Sequence, residues 1–474
     1  MIPTVGLEVH AQLRTSSKIF CGCSAAFGAE PNTHVCPVCL GLPGALPILN
    51  ARAVEFAIRA ALAFDCNIHH ISRFARKHYF YPDLPKGYQI SQYDEPLATG
   101  GAVMVTTASG TRSVGLVRIH IEEDAGKSVH LDDAGTSIDF NRSGVGLIEI
   151  VTMPHIDSPA LASACFSRIR EVLVALGVND GNMEEGSLRC DANVSIRADA
   201  SAPLGVKTEV KNINSFRFVQ RAIEFEVERQ TALVEAGEAV APETRLWDPG
   251  SGRTISMRNK EEAQDYRYFP EPDLLPLTVS PEWIAGIKAS MPEMPEAKRE
   301  RFIRDYQLPE YDAGVLTQSL ALADYFEATA AASGSPKAAS NWIMVEALGR
   351  LNAAGMTIGD IRVTPDALAR LIRLVESGRI TGPTAKAVFE RMFADGGDAE
   401  AIVAEGGLAR VDDDSAIEGI VREIVVQHPV PVAQYRAGKR QAFGFLVGQV
   451  MKSSGGRTDP ARTSAVLRRI LDSE

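Results

Sequence analysis

The sequence predicts an α+β protein: a mixed α/β N-terminal domain with an antiparallel sheet, then an all-α helical domain and a small helical tail. Three observations carry this. The first 290 or so residues show period-two apolar alternation with few helical stretches. Six prolines fall within the 26 residues from Pro270 to Pro295, which marks a connection rather than an element interior. Beyond residue 292 the composition turns alanine-rich and helical. The expected domains are 1–292, 293–408 and 409–474, in keeping with a chain of 474 residues, too long for a single core by default.

In chain order, Thr4 to Leu13 alternates Val5, Leu7, Val9, Ala11 and Leu13 with Gly6, Glu8, His10 and Gln12, a strand with Glu8 and His10 on one face. Val54, Ala57, Ile58, Ala61 and Leu62 have helical spacing, with Asn50 as N-cap. Val117 to Asp124 reads as a strand with an acidic end, and Gly146 to Val151 as a second strand. Asp157-Ser158-Pro159 opens a helix that Gly177 closes, and a long, highly charged helix runs from Ser215 to Gly237. In the C-terminal part, Thr364 to Ser377 has Thr364 as N-cap, Pro365 in first position and Gly378 past the end. Pro383 to Phe393 is another helix, and the stretch 396–407 with Asp412-Asp413-Asp414 reads as a linker and helix start.

A hydrophobic fraction of 45% with 23% charged residues describes an ordinary globular protein. Apolar runs such as Ala57 to Phe64 fall far short of the roughly 18 residues of a membrane span. The N-terminus enters a strand pattern without the features of a signal or transit peptide, so a cytoplasmic protein with no membrane partner is expected. A net charge of -11 argues against indiscriminate coating of nucleic acid. From Pro429 onward, however, eight basic residues face three acidic ones, a local net of +5 that is either a solvated helix face or a docking surface for a polyanion.

Glu8 beside His10 can ligate an ion, although for the pair taken alone an exposed polar strand face is the simpler explanation. Glu149 inside the apolar run Leu147-Ile148-Glu149-Ile150 is more telling, because a buried carboxylate requires a cation, hydrogen bonds or a proton. Oxygen-rich sets with one imidazole suit magnesium or manganese. Strand parity alone does not choose between Glu122, on the His120 face, and Glu123, on the Ile121 face. Cys21-Gly22-Cys23 and Cys36-Pro37-Val38-Cys39 supply four thiolates to one structural zinc, whereas Cys66, Cys165 and Cys190 read as small buried hydrophobes.

No phosphate-binding loop is found. Ala125-Gly126-Lys127-Ser128 imitates the end of a Walker A loop, but Ile121 stands where the first glycine belongs, and Gly144-Val145-Gly146 lacks a third glycine. Nucleotide binding must then rest on a metal and on scattered cations from the segments around Lys77, Arg189 and Lys211, each of which has a surface salt bridge as its simpler role.

Taken together, several segments resemble the B-subunit family of the aspartyl/glutamyl-tRNA amidotransferases. They are Gly6 to His10, Tyr79 to Asp83, Tyr88 to Gln92, Glu122 to Lys127, Leu147 to Ile150, Met183 to Asn193, Lys211 to Phe216, Asp265 to Asp273 and Gly444 to Lys452, in order and nearly end to end. The resemblance implies a cradle-shaped first domain that uses ATP to phosphorylate the side-chain carboxylate of Glu-tRNA(Gln) or Asp-tRNA(Asn). Ammonia then displaces the phosphate. It implies Glu8, His10, Glu123 and Glu149 as magnesium ligands, and Lys77, Arg189 and Lys211 as phosphate or substrate contacts. Ammonia would come from a separate amidase, since Ser453-Ser454-Gly455-Gly456 reverses the order of the amidase signature. The implied partners are that amidase, a small third subunit and the misacylated tRNA, which the helical domain and tail would grip. The length leaves no room for the extra domain of the related archaeal protein, which favours the three-subunit bacterial type.

Overall fold

The computed structural model describes residues 1–107, 110–131, 135–199, 201–259, 266–411 and 413–473. Asp265, Asp412 and Glu474, which entered the motifs and the charge count above, lie outside the described residues. The chain divides into two compact units, Met1–Met294 and Pro295–Glu474.

The first unit is organised by a ten-stranded sheet. Its strands are β1 (Ile2–Gln12), β2 (Asn67–Ile68), β3 (Ala98–Thr99), β4 (Ala102–Thr107), β5 (Gly110–Glu123), β6 (Gly146–Thr152), β7 (Leu188–Arg197), β8 (Thr208–Lys211), β9 (Glu243–Asp248) and β10 (Arg253–Asn259). Their order is β10-β9-β8-β7-β1-β6-β5-β3-β2, with β4 paired to β5. All the pairings are antiparallel except β8 with β9. The alternation of β1 decides its orientation: Val5, Leu7, Val9 and Ala11 are all 0% exposed, while Glu8 and His10 remain partly accessible. Each buried aliphatic side chain contributes about 1.5–3 kcal/mol relative to exposure. A one-residue slip would turn that whole row to the polar side, so the register is firmly set.

Three helices, Ala51–Ala63, Pro159–Ala175 and Phe216–Glu235, share one hydrophobic core with the apolar face of this sheet. Their starts follow the sequence: Asn50, Ser158 and Ser215 accept hydrogen bonds from the backbone N–H groups of Arg52, Leu161 and Phe218. Gly177 and Gly237, just past two of the ends, hold φ of +67° and +78°.

The helix that reads as highly charged turns part of its charge inward. Glu226 is fully buried and accepts from Arg229 Nη2 at 2.6 Å, Gln230 Nε2 at 2.9 Å and Thr254 Oγ1 at 3.1 Å. Glu243 joins this network through Arg245 Nη1 at 2.6 Å. Burial would raise the Glu243 pKa, but the Ser256 hydroxyl, Arg245 and Arg229 hold it below the usual 4.5. Its stabilisation is therefore complete above about pH 4.5 and is lost as pH falls through the lower folded value. Glu243→Gln is expected to unfold at a lower temperature than the wild type at pH 7, with the gap closing as pH falls below 4.5 and through the lowered folded value. Thermal unfolding across that range checks this, and a constant gap would refute it.

The proline-rich segment expected to be a bare connection contains the helix Pro281–Ala289, with Pro281 in its first turn and Ser280 capping Trp283 N; Pro295 likewise begins the helix Pro295–Tyr306. A first-turn proline sacrifices no hydrogen bond, so these two start helices rather than prevent them.

The second unit is helical and contains two separate hydrophobic clusters. One is built from residues between Phe302 and Val403, the other from residues between Ile417 and Leu471. Pro365–Glu376 has the expected Thr364 cap and Gly378 at φ +71°. The stretch 396–407 is not only a linker: Asp398 caps a short helix, Ala399–Glu405, whose Ala399, Ile402 and Val403 are buried. The tail consists of Asp414–Gln427, Pro429–Arg436, Arg440–Ser453 and Pro460–Ser473. No helix among the described residues is long and apolar enough to cross a membrane.

Candidate active site

The three core helices pack on the apolar face of the central sheet, and on its polar face strand pairing sets side chains in rows. His10 lies opposite Glu149 on β6 and Arg189 on β7, and Glu149 lies opposite His120 on β5. One row therefore reads Arg189, His10, Glu149, His120. In the next, Glu8 lies between Asp191 and Val151, and Val151 lies opposite Arg118. Glu122 follows His120 on the same face, by period two.

The contacts within this group are close. Glu149 Oε2 is 3.5 Å from His10 Nε2 and 3.4 Å from His120 Nε2, and Glu122 Oε2 is 3.6 Å from His120 Nε2. His10, Glu122 and Glu149 each offer a ligand atom, all within 4.8 Å of one another, and so can hold a metal ion. Asn193 Nδ2 donates to Glu8 Oε1 at 2.8 Å, and the Ser91 hydroxyl donates to Glu122 Oε2 at 3.0 Å. Burial would push the Glu149 carboxyl up, yet His120 and His10 hold it well below the usual range. Burial would likewise lower His120, but Glu149 and Glu122 bring it up to about 9. Burial and the neighbouring Glu149 raise Glu8. Three carboxylates thus share two imidazoles, and a small divalent cation fits the oxygen-rich donor set and its charge.

Glu123 is not brought to this group. It lies opposite Gly146 at the end of β5, 2% exposed, with its carboxylate accepting from Lys86 Nζ and, at 2.9 Å, from Ile90 N. There it lines a separate cavity of about 210 Å³ beside Cys21 and Cys39. Glu123, which the resemblance implies as a magnesium ligand, is not brought together with Glu8, His10 and Glu149: β5 keeps its alternation to its last residue, so Glu122 shares the His120 face and Glu123 lies on the other.

The cluster opens into a cleft of about 800 Å³, lined also by Lys77, Arg118, Asp191, Lys211, Tyr266 and Tyr268. Of the three expected contact residues, two are already paired. Arg189 holds Asp124 through bonds of 2.9 and 3.1 Å, and Lys211 Nζ sits 2.5 Å from Asp191 and 2.9 Å from Glu209. Lys77 makes no such ion pair among the described residues. It lies on the short strand Ala75–His78, whose neighbours are Tyr88–Ser91 and Phe269–Pro270, so residues distant in sequence form the cleft wall. Arg118, Tyr266 and Tyr268 escape a reading of the sequence. Arg118 was accessible to it through parity with His120 and Glu122; the tyrosines carry no local signal.

The four clustered cysteines do meet. Their Sγ atoms lie within 4.8 Å of one another, with Cys36 and Cys39 at 3.9 Å, close to the edge of about 3.8 Å that Zn–S bonds of 2.3 Å give a tetrahedron. The cluster can hold a metal such as zinc. Cys39 is held down at about 4 by the Cys21 thiol and by Cys36 N, which donates at 3.2 Å. Cys165 and Cys190 are buried in the core, and burial pushes the Cys165 thiol up to about 12.

An α/β unit with such a cleft, followed by a helical unit, is the arrangement of one class of catalytic protein: residues 3–285 match the family model described as the GatB/GatE catalytic domain, and residues 324–471 match that of the GatB domain. The B subunit of the aspartyl/glutamyl-tRNA(Asn/Gln) amidotransferase from Thermodesulfovibrio yellowstonii is 53% identical over 467 residues, covering 98% of each chain. Those of Trichlorobacter lovleyi and Chlorobium phaeobacteroides are 52% and 51% identical over 469 and 468 residues, covering 99% of this chain and 99% and 98% of theirs. The chain belongs to the family of aspartyl/glutamyl-tRNA(Asn/Gln) amidotransferase B subunits.

Proposed function

We propose that the cleft performs the ATP-dependent step of a glutamine-dependent tRNA amidotransferase, a carbon–nitrogen ligase. A side-chain carboxylate oxygen of Glu-tRNA(Gln) or Asp-tRNA(Asn) attacks the γ-phosphorus of ATP, the bond to the bridging oxygen breaks, and ADP leaves. Ammonia then attacks the acyl carbon, the carbon–oxygen bond to phosphate breaks, and the amide forms with loss of inorganic phosphate and a proton. The observation that carries this reading is the grouping of His10, Glu122 and Glu149, with His120 beside them, at a polar cleft that Glu8 and Lys77 also line.

Glu8, His10, Glu122 and Glu149 would hold magnesium, which bound there supplies the charge that phosphoryl transfer needs. Lys77 would contact phosphate. Arg189 and Lys211, engaged by Asp124 and by Asp191 and Glu209, would fix the cleft wall. Cys21, Cys23, Cys36 and Cys39 would hold a structural zinc with no open position. The relatives are named as subunits, which supports an amidase and a small third subunit as partners, the amidase providing ammonia. The two separate clusters of the second unit support distinct modules at 293–408 and 409–474, with the basic tail facing tRNA.

The test is phosphate release from ATP by the complete complex. We expect release that requires the misacylated tRNA and magnesium. Release indifferent to the tRNA, or none at all, would refute the reading.

A further inference from the structure

Four basic side chains line the cleft, and two are neutralised by carboxylates. The other two, Lys77 and Arg118, are positioned by aromatic rings instead. Lys77 Nζ lies 4.9 Å from the centre of the Tyr266 ring. Arg118 Cζ lies 5.9 Å from that of Tyr93, which stacks on Tyr268 at 3.9 Å and 6°. We propose that Arg118, together with Lys77, is the anion-binding half of this cleft and takes the phosphoryl oxygens of the nucleotide, a role that rests on the function proposed above.

The sheet places Arg118 for this. It stands two residues before His120 and four before Glu122 on the same face of β5, so its side chain and two members of the cluster project from one strand. Its Nε is buried and has no hydrogen-bond partner among the described residues, and no carboxylate lies within ion-pair distance of it there. A buried donor left without a partner destabilises the site, and an incoming oxyanion would relieve that. A ring face attracts a cation without cancelling its charge, whereas a carboxylate would compete with phosphate for the same donors. Glu8 and Glu149 also line the cleft, and their repulsion of a polyphosphate would be offset by a metal held there. The planar fork of arginine suits two phosphoryl oxygens at once, which a lysine ammonium does not reproduce.

The reconstituted complex separates the nucleotide from the tRNA backbone as the source of the phosphate. Arg118→Gln is expected to lower kcat/KM for ATP by about tenfold to a hundredfold, and Arg118→Lys to recover part of that loss. KM for the misacylated tRNA should stay within about twofold of the wild type, since the proposed function assigns the tRNA backbone to the basic tail. Unchanged ATP kinetics in Arg118→Gln, or an effect confined to the tRNA KM, would overturn the proposal. Should Arg118→Gln lower the thermal midpoint, Arg118→Lys alone decides, with a loss of about threefold or more on the ATP side expected and none overturning it. A wild-type complex that fails to release phosphate with tRNA removes the underlying reading as well, whereas an active wild type with an indifferent Arg118→Gln removes only this inference.

Discussion

Glu149→Gln is expected to reduce tRNA-dependent phosphate release by on the order of a thousandfold, about 4 kcal/mol of transition-state stabilisation. Glu149 is the middle member of its row, within 3.5 Å of both imidazoles, and the change keeps its shape while removing its charge. Binding of magnesium or manganese to the full chain, followed by titration calorimetry, should weaken in parallel. A loss of activity below about tenfold, with ion binding intact, would count against a metal centre here. The same measurement separates the adjacent acids. Glu122→Gln should weaken ion binding severely, whereas Glu123→Gln, which breaks the pair with Lys86 on the other side of the strand, should leave it nearly unchanged.

The second large effect concerns stability. Cys36→Ser is expected to lower the thermal midpoint by roughly 5–10 °C and to abolish binding of about one zinc per chain. Cys36 and Cys39 anchor the turn that leads into the loop at 40–48, a segment with few apolar contacts of its own: Leu42, Leu46 and Ile48 are at least half exposed. Tying the cysteine pairs through one ion would fix what packing does not. Elemental analysis and thermal unfolding with and without a chelator check this, and an unchanged midpoint would exclude a structural role.

Much of the site was legible because strands announce themselves through alternation. Glu8 and His10 share a face for the same reason that Val9 and Ala11 are buried, and Glu149 stands out because its neighbours Ile148 and Ile150 are core residues. The cysteine pairs carry their own spacing. What escaped needed pairing partners. Whether β5 keeps its alternation to its end, which turns Glu123 away, depends on β6 running beside it to Gly146. Tyr266 and Tyr268 reach the cleft only because Phe269 and Pro270 pair with Arg76 and Ala75, almost two hundred residues earlier in the chain. The helix Ala399–Glu405 escaped because glycines flank seven residues too short to show a period, and only the burial of Ile402 and Val403 explains it.

The two acids at the end of β5 sit one peptide bond apart yet belong to different rooms of the protein. Glu122 lies buried with the imidazoles, and Glu123 lines a smaller cavity with Lys86 beside the cysteine cluster. The backbone between them is a wall one residue thick. A substitution at Glu123 therefore alters the room beside the cysteines with the group around Glu149 left in place, and one at Glu122 does the reverse.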